Sequence, residues 1–147
     1  MVDYTKYVLK SKEELEALLA GKDHFFLVAC NKCFKEFDTV QEPELDEMAS
    51  LVAAAGKTVT GSVRVDFLCN KVQTEKKLAG LIPEGTRNVL VISCGLGVQT
   101  MADVADVPAF TATNSLNYTG HHGMALTQKT CGACAQCYLN VTGGICP

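Results

Sequence analysis

The sequence predicts an α/β fold, a small parallel sheet with flanking helices, followed by a C-terminal cysteine-rich metal-binding tail. Three observations carry this expectation. Short apolar runs of strand length alternate with stretches of helical periodicity, the pattern of βαβ units around a parallel sheet. Three cysteines fall at or just past the ends of those strand-like runs. Beyond residue 112 the periodicity stops, and the sequence closes on a dense run of thiols. The sheet is expected to be Rossmann/flavodoxin-like. Residues 1–112 are expected to form the α/β domain, and residues 113–147 a linker and a cluster segment.

The elements follow in order. Ser11 and Glu14 make a capping box ahead of Leu15, Leu18 and Leu19, and Gly21 stops this first helix. Phe25-Phe26-Leu27-Val28-Ala29 is continuously apolar, as a strand buried on both faces should be, and it ends at Cys30. Residues 43–56 read as a helix, with Pro43 at its start, Leu45, Met48, Ala49 and Val52 along one face, and Gly56 as its stop. Residues 58–67 alternate as a second strand and lead to Cys69. Residues 72–82 read as a helix closed by Pro83 and Gly85. Val89-Leu90-Val91-Ile92 is the clearest buried strand and runs into Ser93-Cys94. A short helix over 98–105 and a fourth strand over 109–112 complete the domain. From 113 to 130 the chain is polar and aperiodic, and reads as a linker or long ordered loop.

A chain of 147 residues is one domain's worth. It buries about two-thirds of its unfolded surface, so it needs no disulfides to fold. Yet it carries 8 cysteines: Cys30, Cys33, Cys69, Cys94, Cys131, Cys134, Cys137 and Cys146. The net charge of −3 leaves no electropositive footprint for nucleic acid. No apolar run reaches the roughly 18 residues that would indicate membrane insertion. The first residues lack the apolar core of a secretory signal, so a cytoplasmic location is expected. Thiols stay reduced there, which leaves metal binding, redox chemistry or inert buried thiols as their use.

Cys131, Cys134 and Cys137 are spaced C-x2-C-x2-C, which wraps three thiolates around one face of a cluster. Bacterial ferredoxins use C-x2-C-x2-C-x3-C-P. Here the fourth cysteine, Cys146, comes eight residues on and is also followed by proline, with Gly143-Gly144 supplying the return turn. The spacing favours an iron–sulfur cluster; soft thiolates leave zinc as the alternative. The other four are scattered. Right-handed crossovers place all strand C-termini on one edge of the sheet, the ligand-binding edge of open α/β folds. Cys30, Cys69 and Cys94 gather there, with Cys33 one turn from Cys30. They make a second four-cysteine site, for an iron–sulfur cluster or zinc. Alternatively, Cys30 and Cys33 form a thioredoxin-like dithiol, or the thiols are structural.

Other features have plainer readings. Gly95-Leu96-Gly97 lacks the third glycine of a dinucleotide loop and reads as a tight βα turn. His24 reads as structural, and His121-His122 as solvated. Glu42, Glu44, Asp46 and Glu47 crowd a helix N-terminus, where the dipole favours them. No nucleophile–base pair and no general acid–base constellation is present.

Ala29-Cys30-x-x-Cys33, Cys69, Ser93-Cys94-Gly95-Leu96-Gly97-Val98-Gln99-Thr100, Cys131-Gly132-x-Cys134-x-x-Cys137 and Thr142-Gly143-Gly144-Ile145-Cys146-Pro147 together resemble the MetV-type small subunit of bacterial methylenetetrahydrofolate reductases. The resemblance runs from about residue 22 to the end. Many such subunits continue past the Cys-Pro with a further cysteine-bearing segment, whereas this sequence stops at Pro147. The resemblance implies two [4Fe-4S] clusters, one on Cys30, Cys33, Cys69 and Cys94, the other on Cys131, Cys134, Cys137 and Cys146. It implies a flavin-containing TIM-barrel reductase subunit as partner, in the one-carbon metabolism of anaerobes. The chain is then expected to be a non-catalytic electron-transfer subunit of an oxidoreductase complex, with a further electron-donor protein left open. The alternatives are a zinc-stabilised assembly module and a thiol–disulfide oxidoreductase using Cys30 and Cys33.

Overall fold

The computed structural model describes residues 7–31 and 44–115. The elements run β1 (Tyr7–Leu9), α1 (Lys12–Leu19), β2 (Phe25–Cys30), α2 (Glu44–Ala54), β3 (Val59–Val65), α3 (Lys71–Leu78), β4 (Asn88–Ile92), α4 (Gly95–Val104), β5 (Ala109–Thr111) and β6 (Thr113–Ser115). β3, β2, β4 and β5 form a parallel sheet in that order.

This order fixes where the fold reverses. From β2 the chain steps outward to β3, crosses back over β2 to β4, and then continues to β5. Under the right-handed rule, steps in opposite directions put their helices on opposite faces of the sheet. The two cores obey this. On one face Leu15 and Leu19 of α1 and Leu45, Met48 and Val52 of α2 pack with Phe25, Leu27, Ala29, Leu90 and Ile92. On the other, Leu78 of α3 and Met101 of α4 pack with Phe26, Val28, Val65, Val89 and Val91. Successive residues of β2 and β4 thus serve opposite faces, as the pleat demands. Continuous apolar runs are needed because both faces are covered.

Several element ends follow from local chemistry. The capping box of α1 forms in both directions: Glu14 N donates to Ser11 Oγ (3.2 Å) and Ser11 N to Glu14 Oε2 (2.7 Å). α3 is shorter than the 72–82 expected. It stops at Leu78, because Gly80 at φ 73° turns the chain before Pro83 is reached. β3 stops at Val65 rather than running to residue 67, and residues 66–69 form a turn. α4 begins at Gly95, three residues earlier than expected. Gly95-Leu96-Gly97 is therefore the first turn of the helix and not a separate βα turn.

β1 and β6 are absent from the sequence reading, and the segment read as linker opens with a strand. β6 pairs antiparallel with β1, Tyr7 opposite Ser115 and Leu9 opposite Thr113. Lys10 Nζ donates to Asn114 Oδ1 at 2.6 Å, and Thr113 Oγ1 donates to the Ser93 carbonyl. Three-residue strands are too short for periodicity to reveal. The cysteine-rich tail lies outside the described residues. Among the described residues no helix is long and apolar enough to cross a membrane.

Candidate functional site

The carboxyl edge of the sheet collects the described thiols. Cys30 is the last residue of β2, and the Tyr7 hydroxyl donates to its carbonyl at 3.5 Å. Cys94 lies two residues past β4 and is the N-cap of α4, in extended conformation (φ −68°, ψ 169°), with no side-chain cap hydrogen bond. Cys69 sits in the turn after β3, directly before Asn70, whose side chain caps α3 by accepting from Gln73 N at 3.2 Å. The single proton of the Thr100 hydroxyl of α4 is shared between the Leu96 carbonyl (3.0 Å) and the Cys69 carbonyl (3.3 Å), linking that turn to the neighbouring helix. β2 and β4 are the strands on either side of the reversal, so Cys30 and Cys94 flank the crevice where open α/β sheets bind ligands.

The thiols share an edge but not a face. Cys30 packs against the α3/α4 core and Cys94 against the α1/α2 core, while Cys69 is exposed. The cause is the two-residue period of the pleat: Ile92 and Cys94 belong to one face, Val28 and Cys30 to the other. Among the described residues no three His, Cys, Asp or Glu side chains come together as a metal-holding group. Cys33, Cys131, Cys134, Cys137 and Cys146 lie outside the described residues, as do His121 and His122.

Sequence reasoning passed over Ser93. It is 1% exposed, and its hydroxyl oxygen, wholly buried, has no hydrogen-bond partner among the described residues. It follows directly on the end of β4, one residue past Ile92, which stands opposite Ala29 of β2. Above the hydroxyl lies the first turn of α4. A Cβ at Gly97 would overlap Ser93 Oγ and stand 2.8 Å from Ser93 Cβ and 3.2 Å from a Leu68 methyl. Gly97 is therefore glycine for close approach. The readable signal was a second glycine inside a helix, where glycine is otherwise unfavourable.

These features bear on whether a sulfur-ligated group fits the edge. The donors are soft thiolates, suited to iron–sulfur clusters or zinc. The first turn of α4 presents the positive end of its helix dipole to the crevice, which favours an anionic group. The orphaned Ser93 hydroxyl is a hydrogen-bond donor on the same edge. The donors are of the right chemical type, but among the described residues they do not come together as a metal-holding group.

Elsewhere the plainer readings apply. His24 stands at the opposite, amino edge, with its carbonyl accepting from Arg87 N and Asn88 N at 3.0 and 3.2 Å. Its φ of 58° is unusual for a residue with a side chain. Asp23 beside it accepts from Thr58 N (2.6 Å) and His24 N (2.8 Å), and these two N–H groups hold its carboxyl below the usual aspartate range. Glu44, Asp46 and Glu47 occupy the first turn of α2; Glu42 is outside the described residues.

The fold and edge define an open, doubly wound α/β protein with thiols on both strands of its switch point. Residues 110–147 match the family described as methylene-tetrahydrofolate reductase C terminal. That match relates the C-terminal quarter of this chain, which carries Cys131, Cys134, Cys137 and Cys146, to methylenetetrahydrofolate reductase. No curated protein and no solved structure matches the chain.

Proposed function

We propose that this chain is the iron–sulfur electron-transfer subunit of a methylenetetrahydrofolate reductase complex, a small subunit of the MetV type. The observation that carries the reading is a conjunction. The family match to methylenetetrahydrofolate reductase falls on the segment with the C-x2-C-x2-C run, and three further thiols stand on the ligand-binding edge of the sheet. Cys30, Cys69 and Cys94, with Cys33, would hold one [4Fe-4S] cluster; Cys131, Cys134, Cys137 and Cys146 would hold the other. Such clusters supply one-electron transfer. The chain's own part is to hold and shield them, and to bind the flavin-containing barrel subunit on which the folate is reduced. Two exposed apolar side chains near Cys69, Phe67 (52% exposed) and Val72 (60%), offer contact area to that partner. The lack of a general acid–base constellation in the sequence accords with a relay rather than a catalyst.

Anaerobic purification with iron, sulfide and zinc analysis tests the reading. The expected result is a brown protein with about eight irons per chain. A colourless protein holding zinc and unfolding with chelators would point instead to an assembly module. A metal-free protein with one unusually reactive thiol, lost in Cys33→Ser, would point to thiol–disulfide exchange.

A further inference from the structure

We propose that the groove between the C-terminal ends of α3 and α4 is a docking site for an arginine side chain of a partner protein. The groove lies at the amino edge of the sheet, at the opposite end from the thiols, and the proposal does not rest on the iron–sulfur reading.

α3 and α4 start at the carboxyl edge and run back toward the start of the next strand, so both end at the amino edge. Their last turns border a groove of about 270 Å³. Leu78, Ile82 and Val104 give it an apolar floor continuous with the core on that face. Glu75 and Asp106, both exposed, line it as well. The charges here run against what a helix end favours. A helix C-terminus carries partial negative charge and is stabilised by cations. α3 conforms, with Lys76 and Lys77 in its last turn. α4 does the reverse: its last turn has no basic residue and holds Asp103, and Asp106 follows two residues past its end. Lys71 of α3 offsets Asp103, with 3.6 Å between the charged atoms. Among the described residues neither Asp106 nor Glu75 has an ion-pair partner. The groove thus joins an apolar floor, two carboxylates and the negative end of α4. Its complement is a positive charge on an apolar stem. A bare metal ion would leave the floor uncovered, and an ammonium is strongly hydrated. A guanidinium is weakly hydrated and pairs with carboxylates through its planar fork, while its methylene stem covers apolar surface.

The test follows backbone amide shifts of the isotope-labelled full chain. The probe is a blocked Ala-Arg-Ala peptide; its citrulline counterpart keeps the shape and loses the charge. The expected result is saturable shifts confined to residues 75–82 and 104–106. Binding should weaken by at least about tenfold with the citrulline peptide, and likewise in a variant carrying Glu75→Gln and Asp106→Asn. It should also weaken as salt rises. Both side chains are exposed, and unmoved amides elsewhere in the variant verify its fold. No saturable shift with the arginine peptide overturns the proposal, as does equal affinity for the citrulline peptide or unchanged affinity in the variant. The same shifts on adding calcium chloride would make the groove a cation site, and on raising the protein concentration alone would give it to a second copy; either overturns the proposal. Iron content plays no part in the readout, so this proposal and the iron–sulfur reading fail separately.

Discussion

At the scale of single residues, two positions show how the surroundings decide the sign of an effect. Glycine inside a helix ordinarily costs about 1 kcal/mol relative to alanine. At Gly97 the balance reverses, because the added Cβ would overlap Ser93 Oγ and crowd Leu68. Gly97→Ala should therefore destabilise the protein by about 1–3 kcal/mol, read from the midpoint of urea denaturation. Asp23 is the second case. The N–H groups of Thr58 and His24 depress its folded pKa below the unfolded value of about 3.9. The stabilisation is thus complete above the unfolded value and is lost as pH falls through the lower, folded one. Asp23→Asn should flatten this acid-side loss: its unfolding midpoint should change less than that of wild type between about pH 5 and pH 2.

At the scale of elements, the ends are legible where one residue's chemistry controls them, and obscured where two signals compete. The capping box of α1 was readable from Ser11 and Glu14, and both of its hydrogen bonds form. Ser11→Ala should cost about 1 kcal/mol, measured by thermal unfolding. The Glu14 carboxylate gains a further role from the tertiary structure, accepting from Asn114 Nδ2 at 3.3 and 3.4 Å and so joining α1 to β6. α3 misled because Pro83 and Gly85 are strong breakers, yet Gly80 had already reversed the chain. α4 misled because glycines at its start resemble a turn, whereas here they let the helix begin against the end of β4.

At the scale of the whole molecule, the antiparallel ribbon of β1 and β6 ties the end of the α/β domain back to its beginning. Its anchor is the Thr113 hydroxyl on the buried Ser93 carbonyl. Thr113→Val keeps the shape but orphans that carbonyl. It should lower stability by about 1–3 kcal/mol and speed amide exchange in β1 and β6 more than in β2 and β4.

The alternation of strands and helices, the apolar strands covered on both faces, and the arrival of Cys30, Cys69 and Cys94 at one edge are legible in the residues alone. These follow from local periodicity and the handedness of crossovers, which any βαβ chain obeys. The strand order, and with it the reversal point between β2 and β4, emerges from the folded chain. The folded chain also sets Cys30 and Cys94 against opposite cores, and buries Ser93 under the first turn of α4. The physical reason is that periodicity specifies which residues are buried, while register between strands distant in sequence specifies which of them become neighbours.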